Sequence, residues 1–141
     1  MKKLFLLLFM TVPLLISGQG NRFAALYTPS DNGMGVRYER VTKKGQGYYF
    51  TALYGNYEGP EYYIRDHWRC SAGMSKLNQN GNYMTAGLSV HKYGDHKGIT
   101  NQAFSPVSLE LGCGTEISIF NIGMIFDPLK WEGGFYVGLN F

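Results

Sequence analysis

Beyond residue 16 the sequence has no apolar run approaching the roughly 20 residues that a helix needs to cross a bilayer, so it offers no helical span. It also lacks an apolar stripe of helical period and any repeat of 20 to 50 residues. Glycine pairs such as the one in "GMG" (Gly33–Gly35) lack the spacing and the following helix of a phosphate loop, which removes a nucleotide signal. Proline is scarce, at 5 of 141 residues, whereas Gly (19), Tyr (11) and Phe (9) are abundant. That balance favours strands with close backbone approaches over helices.

Net charge is also low once the N-terminus is understood. "MKKLFLLLFMTVPLLISGQG" opens with Lys2 and Lys3, continues as an apolar run from Leu4 to Ile16 broken at Pro13, and ends in small residues. This is the pattern of a secretory signal peptide. The expected division is residues 1–18 as signal and 19–141 as one domain, with cleavage after Gly20 as the other option. Losing Lys2 and Lys3 lowers the formal charge from +3 to +1, so a nucleic-acid partner is not expected. No cysteine lies near the junction, which argues against a lipid-anchored lipoprotein.

Eight segments read as strands, near 22–28, 33–42, 47–57, 67–77, 82–93, 106–117, 119–127 and 133–141. Several have the roughly 9 to 11 residues that a tilted strand needs to cross a bilayer. Their connectors alternate: "KKGQ", "NQNG" and the residues around Ser118 are tight, whereas 58–66, 94–105 and 127–132 are longer. Short turns at one end and long loops at the other match the plan of an up-and-down barrel.

Alternate residues sort by chemistry. Met34, Val36 and Tyr38 oppose Gly33, Gly35, Arg37 and Glu39; Trp68, Cys70, Ala72 and Met74 oppose His67, Arg69, Ser71, Gly73 and Ser75. Likewise Met84, Ala86, Leu88 and Val90 oppose Thr85, Gly87, Ser89 and His91, and Val107, Leu109, Leu111 and Cys113 oppose Ser108, Glu110, Gly112, Gly114 and Glu116. Charge and glycine share a face. Glycine on a water-exposed face would only weaken a strand, whereas inside a small barrel it makes room for Arg, Glu and Tyr. The polar face is therefore expected inside and the apolar face outside, toward lipid. The expected fold is all-β, an eight-stranded antiparallel up-and-down transmembrane β-barrel.

The last strand, "GGFYVGLNF", sets Phe135, Val137, Leu139 and Phe141 on one face. A final strand of alternating apolar residues closed by Phe resembles the assembly signal of bacterial outer-membrane barrels. The mature chain as a whole resembles the small eight-stranded family typified by OmpX and the transmembrane domain of OmpA. That resemblance implies a Gram-negative outer membrane as location, outer-membrane lipid and the barrel-assembly machinery as partners, and a monomer.

Arg37, Glu39, Arg69, His91, Glu110 and Glu116 form the expected interior charge set. An eight-stranded interior is only wide enough for side chains, so the set reads as a network that pairs buried charge. The other reading is a narrow conducting path. Among the three histidines, His91 and His96 flank "HKYGDH" with Asp95, a rim pattern that could suggest metal or general-base chemistry. An esterase built from His91, Ser89 and Glu110 meets an obstacle: residues two apart on a strand lie about 6 to 7 Å apart, too far for a nucleophile–base hydrogen bond. No metal, cofactor or catalytic residue is assigned.

Tyr48, Tyr49, Tyr54, Tyr57, Tyr62, Tyr63, Trp68, Tyr93, Phe126 and Trp131 gather near segment ends, as headgroup-level aromatics do. A ligand surface formed by "YYIRDHW" is the competing reading. Cys70 and Cys113 fall on the fourth and sixth strands, two strand spacings or about 9 to 10 Å apart, beyond the roughly 7 Å that a disulfide tolerates. Both are expected as free thiols facing lipid. The function expected is that of a non-enzymatic membrane anchor whose external loops meet a surface or partner. A lipid-modifying barrel enzyme and a soluble, lipocalin-like ligand carrier are the alternatives.

Overall fold

The alternation of apolar and polar residues becomes eight long strands in the computed structural model, which describes residues 20–58, 63–97 and 105–141. Residues 1–19, expected to hold the signal peptide, and residues 59–62 and 98–104 lie outside them. The strands are β1 (Asn21–Thr28), β2 (Gly33–Val41), β3 (Gln46–Glu58), β4 (Tyr63–Leu77), β5 (Asn82–Lys92), β6 (Val107–Ile117), β7 (Phe120–Asp127) and β8 (Glu132–Asn140). Each pairs antiparallel with its neighbours in sequence, and β8 returns to β1 in the register Arg22↔Asn140 to Tyr27↔Phe135. The sheet is a closed eight-stranded up-and-down β-barrel. Its seam is fastened below the ladder by Asn21 N–H to the Phe141 carbonyl at 2.7 Å and by the reciprocal bond at 2.9 Å.

Turn chemistry explains one end. Gly45 and Gly81 take positive φ, 69° and 80°, in the β2–β3 and β4–β5 turns, where a side chain would be strained. The Asn78 carboxamide accepts the Asn80 and Asn82 N–H groups and fixes the second turn. At the opposite end Pro29–Asp31 form a short 3-10 turn closed by Asn32 in the left-handed region.

The β3–β4 hairpin is longer than its sequence suggests. Residues 63–66, expected in the connector 58–66, belong to β4, and His96–Lys97 pair with Ile64 and Tyr63. The ladder continues because the register shifts between Gly55 and Tyr57. Asp66, at φ 52°, returns its N–H to the Asn56 side chain at 2.7 Å. A bulge of this kind lets a strand run past a fault that composition alone reads as a loop.

The sorting of faces follows residue parity. Met34, Phe50, Met74, Met84, Leu88, Val107, Leu109, Ile122 and Met124 are exposed on the outer surface, while Arg37, Glu39, Arg69 and Glu110 are buried within. Soluble monomers rarely expose contiguous apolar surface beyond a few hundred Å², and this belt is continuous around the barrel. The lipocalin-like arrangement, with apolar residues inside and charges outside, is overturned. A small apolar group does lie within, from Ala24, Leu26, Leu53 and Ile125.

Candidate functional site

Inward-facing polar residues stack in three layers from the turn end to the loop end. At the turn end Arg22 bridges Glu39 at 2.7 Å and Glu116 at 2.6 Å, with its guanidinium 4.1 Å over the Tyr83 ring. The Ser75 hydroxyl also donates to Glu39. In the middle Glu110 uses both oxygens. Arg37 donates to one at 3.0 Å, and Arg69 and Ser71 donate to the other at 2.8 and 2.7 Å.

Arg37 lies 3.7 Å over the ring of Tyr49, so part of its guanidinium meets an aromatic face rather than an oxygen. Glycine makes that possible. A Cβ on Gly87 would stand 2.4 Å from the Tyr49 hydroxyl, and one on Gly123 would stand 2.3 Å from Tyr136. The inner glycines leave the space that these tyrosines fill.

The loop-end layer is a chain of hydrogen bonds. Asp31 meets His67 Nδ1 at 2.8 Å, His67 Nε2 meets His91 Nδ1 at 2.9 Å, and His91 Nε2 meets the Ser108 hydroxyl at 2.8 Å. Ser108 donates onward to Asp127. All five side chains are buried. They come from the 3-10 turn and from β4, β5, β6 and β7, so the chain ties much of the barrel's circumference together.

Tyr93 lies flat over both imidazoles, 4.6 Å from His67 and 5.9 Å from His91 between ring centroids. Lys130 donates to its hydroxyl at 2.6 Å. Burial pushes the Tyr93 phenol up, as do the nearby Glu132 and Asp127 carboxylates. Burial also presses Asp31 upward, but the hydrogen bonds from His67 and Thr28 outweigh it and hold the carboxyl below 3.8. Such a carboxylate stays ionised in neutral water.

Arg37, Glu39, Arg69, His91 and Glu110 are all buried, and Glu116 is partly so. They do not form one network. Glu39 turns away from Arg37 and Arg69 toward Arg22, and His91 belongs to the loop-end layer. The triad His91, Ser89 and Glu110 is not assembled, since Ser89 bonds Ser71 at 3.0 Å and the hydroxyl partner of His91 is Ser108.

Arg22, Asp31, His67, Ser108 and Asp127 were missing from the expected set. Strand parity does set His67 beside Arg69 and Ser108 beside Glu110 on the inner face, without naming them as part of a site, whereas Asp31 lies in a turn and carries no such signal. Two aromatics are also corrected: Tyr49 is inside, and Tyr93 covers the histidines instead of meeting headgroups. Tyr62 lies outside the described residues. Phe135, Val137, Leu139 and Phe141 face outward and are exposed. Cys70 and Cys113 are free and exposed on that same surface.

No family model matches the chain, and no curated protein matches it in sequence. A search of solved structures finds the Yersinia pestis outer membrane protein Ail, determined in a phospholipid bilayer nanodisc. The alignment covers 86% of this chain and 99% of Ail, at 13% identity and a TM-score of 0.54. The fold is that of a small eight-stranded membrane barrel. At this identity the likeness carries the path of the chain alone, and none of Ail's own residues or properties.

Proposed function

We propose that the protein is a small outer-membrane β-barrel of a Gram-negative-type bacterium, and that it acts as a non-enzymatic anchor presenting its loop end to an extracellular surface or partner. The observation that supports this most is the division of the barrel. Its outer surface is apolar, its lumen holds buried charged and polar side chains, several of them ion-paired, and the loops are what remains to meet anything in water. The apolar final strand fits delivery by the barrel-assembly machinery.

The test is fractionation of cells that express the chain, with a gel of boiled and unboiled samples. The chain is expected in the outer-membrane fraction and to migrate differently when unboiled. Exchange of residues 94–105 is expected to lower cell attachment without lowering its level in that fraction. A lipid-modifying enzyme is the second reading, favoured by the 2.8 Å contact between His91 and Ser108, a distance suited to a nucleophile and its base. Ser108, however, is buried in the lumen and already donates to Asp127. Lipid A masses that change with expression of the chain, and revert in Ser108→Ala, would establish that reading and remove the anchor.

A further inference from the structure

The loop-end chain of hydrogen bonds can be counted in protons. Its two ends are acceptors. Asp31 takes bonds from Thr28 and His67. Asp127 takes the Ser108 hydroxyl on one oxygen and the Leu129 and Lys130 N–H groups on the other, at 3.0 and 3.2 Å. Each carboxyl thus has donors at both of its oxygens and supplies no proton to the chain.

Ser108 has one proton, and it is directed to Asp127, so His91 Nε2 must donate to the Ser108 oxygen. His67 Nδ1 must donate to Asp31. The rings are 14° from parallel with centroids 5.2 Å apart and nitrogens 2.9 Å apart. They therefore meet edge to edge and nearly in line, as an N–H donating to a bare ring nitrogen does. Three of the four ring nitrogens thus carry hydrogen, although two neutral imidazoles supply only two.

We propose that His67 and His91 form a proton-binding site in the lumen, holding one proton in common as an imidazole–imidazolium pair, and that this proton fastens the loop end of the barrel. Removing it leaves two lone pairs facing each other at hydrogen-bond distance. Adding another sets N–H against N–H. The pair fits one proton count, so the fastening holds within a pH window and is lost on both sides of it.

What the pair fastens is specific. Asp31 reaches His67 across a gap that Gly55 leaves open, since a Cβ there would stand 2.8 Å from the Asp31 carboxylate. Tyr93, at the root of the longest loop, is laid flat over both rings. Opening the pair therefore frees the first loop and the root of the β5–β6 loop together.

The charged groups around the pair come from every side. Asp31 stands on the 3-10 turn, Arg69 on β4 and Glu110 on β6. Asp127 ends β7, Lys130 lies in the following turn and Glu132 begins β8, with the Tyr93 phenol above. The three carboxylates at the loop end, those of Asp31, Asp127 and Glu132, favour the shared proton. Lys130 and Arg69 oppose a second one.

The test uses the full mature chain in phospholipid nanodiscs, carrying His96→Gln so that the remaining two of its three histidines are His67 and His91. Nitrogen-15 NMR of the rings at neutral pH is expected to show three protonated nitrogens of four, with a coupling across the His67–His91 bond. One proton should leave on raising the pH and one should join on lowering it, each step broadening the backbone signals of Asp31 and Tyr93. Two neutral rings at neutral pH, or pH steps that leave the Asp31 and Tyr93 signals unchanged, would overturn the proposal.

Asp31→Asn supplies an independent check. An asparagine N–H can donate to His67 Nδ1 and provide the missing proton, so both rings should become neutral and the high-pH step should vanish. Persistence of that step in a folded Asp31→Asn chain counts against the proposal. If the variant does not fold, the ring-nitrogen count of the parent chain still decides.

Discussion

Arg22 and Glu39 are register partners on β1 and β2, and their side chains close a 2.7 Å ion pair inside the barrel. Here a ladder neighbour supplies the counter-charge. The middle layer works differently, because Glu110 on β6 receives Arg37 from β2 and Arg69 from β4 across the lumen. One carboxylate therefore holds two buried cations.

Glu110→Leu should leave both guanidiniums unpaired and lower stability by about 3 to 5 kcal/mol, the range for breaking a buried pair. Urea unfolding in detergent, set beside the exposed change Arg40→Gln, measures it. Equal stability of the two variants would contradict the buried placement of Glu110.

Gly123→Ala should destabilise through overpacking, by about 1 to 3 kcal/mol, since its Cβ would press on Tyr136 and on the Cys113 carbonyl. Trimming the ring with Tyr136→Leu should restore part of the loss. The double mutant is thus expected to be more stable than the sum of the single effects predicts.

Acid should loosen the first loop. The Asp31 carboxyl is held below 3.8 in the folded protein, so in the acid range the unfolded chain binds more protons at this position than the folded one. The stability it contributes is present above the unfolded value and is lost as pH falls through the folded value. Unfolding measured along an acid pH series should therefore show a shallower loss in Asp31→Asn than in the parent chain.

Cys70 and Cys113 should resist bulky water-soluble maleimides in nanodiscs, and both should label after unfolding without a reductant. Cys70 pairs with Val90 and Cys113 with Met84 on the intervening β5. The offset of six positions between them sets the thiols about 20 Å apart along the strand, far beyond the reach of a disulfide. A 70–113 disulfide found by mass spectrometry would contradict this strand order.

The sequence by itself determined the inside and the outside of this protein. Side chains alternate across a strand, so the parity of Arg37 and Glu39 against Met34 and Val36 separated the two faces, and the glycines sharing the charged face assigned it to the inside. The glycines and asparagines at 45, 78 and 81 marked the turns for equally local reasons. Partners were a different matter. Parity says that Arg69 and His91 point inward, but not at what height each sits or what stands across the lumen from it. Those depend on strand tilt and stagger, which are set only when β8 closes on β1. Glu110 meets Arg37 from 73 positions away, and Asp31 leaves its turn to reach His67 because Gly55 has no side chain to stop it. Such meetings are properties of the closed barrel, since each requires strands distant in sequence to be held at one height around a shared interior.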